Sequence, residues 1–115
     1  MRFTRKNRLS SKQDFDSVFA KSNKIGYKHL LARYQQNDMS DSRLGIIISK
    51  QLLKQSTSRN QHRRIIRESF RHHQEMLKGL DLIVIMRSKC IPLDKKMFRN
   101  DVDSLWELIA NSKTT

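Results

Sequence analysis

Residues 58–71 read SRNQHRRIIRESFR, and five of those fourteen are Arg, with Ile65, Ile66 and Phe70 set among them. A guanidinium is planar, permanently charged and forked, which suits it to phosphate oxygens. Whether these five can act together depends on the backbone beneath them. At roughly 100° per residue, Ile66, Phe70 and Leu77 fall within about 40° of one another, with Ile65 and Met76 on the same flank. Asn60, Arg63, Arg64, Arg67 and Arg71 gather on another side, over about 100°. The spacing predicts an amphipathic helix over about 58–78 that carries a guanidinium stripe. Ser58-x-x-Gln61 fits a capping box at its start, and Gly79 is a plausible stop. Arg63, Arg67 and Arg71 stack like charges one turn apart, each pair costing a few tenths of a kcal/mol, with only Glu68 near enough to relieve them. An isolated basic run is ordinarily a solvated face. A run that shares its helix with an apolar face, in a very basic chain, is better explained by a polyanionic partner.

Other residues could in principle do covalent chemistry. His62, His72 and His73 suggest a nuclease or a metal site, but no Asp or Glu is spaced to pair with them, so boundary or surface histidines are the better reading. Ser49-Lys50 ends a predicted strand without an oxyanion frame. No glycine-rich loop cradles a phosphate. Cys90 has Arg87 and Lys89 nearby and reads as a plain free thiol. Phe15, Phe19 and Tyr34 are ordinary core candidates, yet part of that set could line a groove where unpaired bases stack.

The elements that would position these residues can be read from periodicity. Ser10-x-x-Gln13 followed by Phe15, Val18 and Phe19 predicts a short helix over about 11–21. Residues 29–35 (HLLARYQ) and 44–49 (LGIIIS) read as strands that pair as a hairpin across the polar turn 36–42. Residues 80–86 (LDLIVIM) alternate little and predict a central strand. After Pro92, the spacing of Phe98, Val102, Leu105 and Ile109 predicts a last helix over 94–111, with Trp106 alongside. The order is α-β-β-α-β-α, an α+β class in which the Arg helix lies inside a βαβ crossover and helices cover one face of a small sheet. Asp94, Asp101, Asp103 and Glu107 make the last helix acidic, so it is expected to lie away from a polyanion.

Length and charge bound the class. A chain of 115 residues with 37% hydrophobic content suits one domain, here 1–115, with a basic arm over 1–8 and a tail over 112–115. A net charge of +13 and a pI of about 10.5 favour association with a polyanion, nucleic acid first and an anionic membrane surface second. The longest apolar run, 82–86, is far too short to span a bilayer, and the opening MRFTRKNRLSSKQ has no apolar signal region. One Cys leaves no intrachain disulfide and no Cys-rich zinc site, which fits a reducing cytoplasm.

The residues resemble the protein component of bacterial ribonuclease P. Arg59-Asn60-Gln61, then Arg63-Arg64, Ile65-Ile66, Arg67 and Glu68, closed by Phe70-Arg71, is similar to that family's Arg-Asn-Arg helix. Asn7-Arg8-Leu9 before Asp14-Phe15 and Val18-Phe19, Arg43-Leu44-Gly45 through Ser49-Lys50, and Gly79-Leu80-Asp81 match in order and spacing over about 5–110. Two positions depart: Gln61 stands where the family carries a third cation, and Arg33 where it often carries an aromatic, with Tyr34 next to it.

The resemblance implies a small α/β sandwich with a left-handed βαβ crossover around the Arg helix, against the usual hand. It implies a partner RNA subunit that holds Mg²⁺ and hydrolyses precursor tRNA to free the mature 5′ end, with no catalytic residue, no metal site and no membrane or protein partner readable in this chain. By the resemblance Arg59, Asn60, Arg63, Arg64, Arg67, Arg71 and Lys50 contact the RNA subunit. Phe15, Phe19 and either Arg33 or Tyr34 line a groove for the single-stranded 5′ leader. The rival readings are a ribosomal-type protein that binds structured RNA without processing it, a stand-alone nuclease using the histidines, and a DNA-reading helix.

Overall fold

The strand 80–86 carries apolar side chains on both of its faces, and the architecture follows from covering both. The computed structural model describes residues 8–9, 11–37, 40–89 and 93–113. Its elements are α1 (Lys12–Lys21), β1 (Asn23–Tyr27), β2 (Leu30–Gln36), β3 (Arg43–Ile47), α2 (Ser56–His72), β4 (Leu80–Met86) and α3 (Lys95–Lys113). They form one four-stranded sheet in the order β1-β2-β4-β3. β4 sits between β2, antiparallel, and β3, parallel. Alternation sends Leu82 and Val84 to a core shared with Ile66 and Phe70 of α2 and Phe98, Val102, Leu105, Trp106 and Ile109 of α3. It sends Ile83 to the other face, where Leu9 and Val18 cover it and Phe15, Ile47 and Ile85 pack alongside.

The predicted class stands, with corrections. Helices cover both faces rather than one: α1 packs on β2 and β4 from the side opposite α2 and α3. The expected hairpin between the strands near 29–35 and 44–49 does not form, because β4 lies between them. β4 carries the unbroken apolar run 82–86, buried on both faces, so it takes the interior position with a neighbour on each edge. β2 instead pairs with β1, an added strand, across the two-residue turn Lys28-His29, in which Lys28 takes φ 52. The element order is therefore α-β-β-β-α-β-α.

Helix ends differ as well. α1 is capped by Ser11, whose hydroxyl accepts from Asp14 N at 3.0 Å; the expected cap Ser10 lies outside the described residues. α2 begins at Ser56, so Ser58 is helical and caps nothing. Its carbonyl accepts instead from His62 Nδ1 at 2.7 Å. α2 ends at His72, six residues early, because 73–79 wind into tighter turns that still bury Leu77 and deliver Gly79 at φ 79, a conformation natural to glycine. α3 takes in Ser112 and Lys113 of the expected tail, while residues 1–7 of the arm, Cys90 and Pro92 lie outside the described residues.

One charge lies within β4. Asp81, 3% exposed, accepts from Arg43 Nε at 2.8 Å and Nη2 at 2.6 Å, and from Asn37 Nδ2 at 2.9 Å. Arg43 is its register partner on β3, so the two-pronged pair ties the parallel strands together and raises the Arg43 pKa through that hydrogen bond. Asp81→Ala leaves Arg43 with only its longer 3.6 Å contact to Asp14 and should cost roughly 3 kcal/mol, the low end for a broken buried pair because Arg43 remains partly in water. Urea denaturation measures it, and a loss under about 1 kcal/mol would show that the pair does not hold these strands.

Candidate nucleic-acid interface

α2 buries His62, Ile66, Ser69 and Phe70, and this sets which side its arginines show. Asn60, Arg64, Arg67 and Arg71 line one shallow depression with Glu68. Arg64 is exposed, whereas Arg59, Arg63, Arg67 and Arg71 are half-buried along their stems. Arg67 is the most stressed: burial first, then the charges of Arg8 and Arg63, hold its pKa below the usual guanidinium value. Arg8 is in place because the chain ahead of α1 bridges to β3 at Leu44, with Leu9 N donating to Leu44 O at 2.9 Å. The root of the N-terminal arm thus joins the stripe. Arg59 works differently, since its Nη1 donates to Leu53 O at 2.8 Å and Lys54 O at 2.9 Å and clamps the loop before α2. Lys50 stands exposed in that loop. Arg71 donates to Glu68 at 2.7 Å, and this contact pulls Glu68 below the usual carboxylate range. Gln61 is exposed on the helix and, with the start displaced to Ser56, has no capping role.

The second candidate surface lies on the other face of the sheet. Phe15 is half-buried against Gly45: a Cβ there would stand 2.7 Å from the Phe15 ring, so only glycine admits the ring so close to β3. Phe19, 37% exposed, lies under the Arg33 guanidinium with 5.1 Å between them. Arg33 also donates to Phe19 O and Ser22 Oγ, both at 3.4 Å. Tyr34 points the other way and is buried in the core with Leu82. Of the two alternatives, Arg33 therefore stands beside α1, and Tyr34 is withdrawn from the groove. Leu31, Ile85 and Ile47 are register neighbours on this face, each half-buried, and give it an apolar floor that sequence reasoning missed. Strict alternation from Ile83 was the available signal. Arg87 borders the same floor, packed over Gly26 and donating from Nε to Lys28 O at 3.0 Å.

Two of the three α2-region histidines are held by the protein. His62 is 1% exposed and meets Phe98 edge-on at 5.0 Å. His73 Nδ1 donates to Ser69 O at 2.7 Å, and His72 is exposed beside Glu68. Among the described residues no three His, Cys, Asp or Glu converge on a point where a metal could sit. Also among them, no helix is long and apolar enough to cross a membrane.

The ribonuclease P family model matches residues 3–110. The ribonuclease P protein component of Pseudomonas syringae pv. tomato is 34% identical over 98% of this chain and 86% of its own length. That of Pseudomonas aeruginosa is 35% identical over 96% of this chain and 83% of its own. Among solved structures, the RNase P protein of Staphylococcus aureus superposes with a TM-score of 0.82 at 25% identity, covering 90% of this chain and 94% of that one. The RNase P protein of Thermotoga maritima gives 0.78 at 28% identity, covering 88% and 96%.

The two phenylalanines should part company in thermal or urea melts. Phe15→Ala, which empties the space against Gly45, should cost roughly 2 kcal/mol, and Phe19→Ala about 1 kcal/mol or less. Equal losses would make Phe19 a core residue and remove it from the surface.

Proposed function

The chain belongs to the ribonuclease P protein family, the protein side of a tRNA-processing ribonucleoprotein endonuclease, and on that premise we propose that it binds the catalytic RNA subunit with its α2 face and the 5′ leader of precursor tRNA with its α1 face. The observation that carries the first half is the depression of Asn60, Arg64, Arg67 and Arg71, where one carboxylate stands against three guanidinium groups. Like charges held this close are stressed in the free protein and are relieved by phosphate, which also releases condensed counterions. Arg63 and Arg8 reinforce the cluster, Lys50 extends it along the preceding loop, and Arg59 shapes that loop while keeping its charge available.

The α1 face has different chemistry. Phe19 offers a ring with one side exposed, Arg33 and Arg87 supply charge, and Leu31, Ile47 and Ile85 form the floor. Aromatic and apolar surface edged by cations suits an unpaired strand whose bases stack and whose phosphates are neutralised. In this reading hydrolysis belongs to the RNA subunit and the Mg²⁺ it holds, in the cytoplasm, and this chain has no catalytic group. Its residues position the substrate and neutralise phosphates so that the RNA folds and binds at lower Mg²⁺.

Reconstitution with the RNA subunit and a precursor tRNA is the test. The chain alone should not cleave, and its addition should raise turnover at low Mg²⁺; metal-dependent cleavage by pure protein would overturn the reading. Arg67→Ala should lower the slope of log affinity against log salt by about 0.7–0.9 if it meets a phosphate, with no loss of folding stability because it relieves repulsion with Arg8 and Arg63. Gln61→Arg restores the family cation and should steepen that slope. Phe19→Ala should weaken binding only to substrates that carry a leader, by about 1–3 kcal/mol per lost stack. Equal loss with and without a leader would reject the α1 assignment.

A further inference from the structure

The last helix is acidic in sequence, but its first turn is not. Asp101 is engaged by Lys28 Nζ at 3.2 Å, and Asp103 by Arg99 Nε at 3.2 Å and by the Ser69 hydroxyl. Asp94 is used at the helix start, its Oδ1 accepting from Met97 N at 3.0 Å. What remains at that end is Lys95 and Lys96, in a first turn with no acidic residue, where the positive end of the helix dipole disfavours them.

The seam between α2 and α3 decides what these lysines face. Trp106 Nε1 donates to Ser69 Oγ at 2.8 Å, the Trp106 ring meets Phe70 edge-on at 5.8 Å, and Phe98 packs on His62. Locked this way, α3 brings Lys95, Lys96 and Arg99 beside Arg64, Ile65 and Glu68, and the six line one depression. Arg64 and Glu68 also line the adjoining depression of Arg67 and Arg71, so the two form a continuous surface. Among the described residues no carboxylate pairs with Arg64, Lys95 or Lys96, because Glu68 is taken by Arg71 and Asp103 by Arg99.

We propose that the first turn of α3 is a second arm of the RNA-binding surface, in which Lys95, Lys96 and Arg99 hold the phosphate backbone of the same folded RNA that Arg64 contacts. The inference rests on the reading that the α2 face binds the RNA subunit. Lysine is a compact point charge that suits phosphate, and no aromatic ring lines this depression, so a backbone is recognised rather than unpaired bases.

The test is a salt titration of affinity for the RNA subunit, using the full chain and no precursor tRNA. The doubly substituted chain Lys95→Ala, Lys96→Ala should bind about 3–10-fold more weakly at physiological salt, with the log–log slope lower by about 1.5, two contacts at 0.7–0.9 each. Its melting temperature should equal or exceed wild type, since the substitutions remove cations from a helix N-terminus. Lys95→Arg with Lys96→Arg should restore affinity. Arg64→Ala serves as the reference for the α2 face and Lys12→Ala, on α1, for a nonlocal loss of charge. Wild-type affinity and slope in the double alanine variant, with Arg64→Ala impaired, would overturn this proposal and leave the α2 reading standing. Indifference to all of them would overturn both. A loss matched by Lys12→Ala, or accompanied by a lower melting temperature, would also overturn it.

Discussion

Everything in this molecule depends on β4 being buried on both faces. A strand with a wet face needs only one layer of helices, but one whose run 82–86 is apolar on both sides needs cover above and below. That requirement puts α1 on one side and α2 with α3 on the other, and it gives β4 a hydrogen-bonded neighbour on each edge. The α2 crossover follows, since β3 and β4 run parallel and cannot be joined by a tight turn. The consequence for function is geometric separation. Residues on α1 and residues on α2 belong to opposite faces of the sheet, so two ligand surfaces of different character can coexist in one small domain.

Charge is arranged with the same economy. Two acidic residues of α3 are committed within the protein, Asp101 to Lys28 and Asp103 to Ser69 and Arg99, while Glu107 is exposed. Asp81 is committed to Arg43 across β3 and β4. The net charge of +13 is thus left concentrated on surfaces where carboxylates are few. Around Arg67 the repulsion is strong enough, with burial, to lower a guanidinium pKa. Folding tolerates this because Ile66 and Phe70, on the same helix, are fully buried. An apolar face anchors the helix that the cationic face would otherwise destabilise.

Much of this was legible in the sequence, and the misses have definite causes. The period of Ile66 and Phe70 and that of Phe98, Val102, Leu105 and Ile109 located α2 and α3, because both helices bury a full stripe. β1 went unread because Asn23, Lys24 and Gly26 outnumber its two apolar residues, Ile25 and Tyr27, which an edge strand only half-buries. The strand order went unread because a hairpin is the local solution for two strands seven residues apart, and the competitor that displaces it, β4, lies far along the chain. Which face α1 would cover could not be read from α1, since its apolar side fits either. Alternation did state that Arg33 and Tyr34 part, and only the pairing of Tyr34 with Leu82 told which of them faces the core.

The division into two faces also separates two kinds of binding energy. On the proposed reading, the α2 surface and the start of α3 present cations without an aromatic ring, so their contribution comes from counterion release and weakens steeply with salt. The α1 surface adds to its cations, Arg33 and Arg87, the ring of Phe19 over an apolar floor, so part of its contribution comes from stacking. On that same reading, a protein that stays on a large structured RNA while releasing a short processed strand benefits from this split. The phosphate surface can be made tight by adding charge to helices already fixed in the core. The stacking surface can stay weak enough to let product leave, because it involves one exposed ring and a few half-buried side chains. The faces are joined through the sheet, chiefly β2 and β4, so a change at the surface of one need not distort the other. That independence is what the fold adds beyond a charged helix alone.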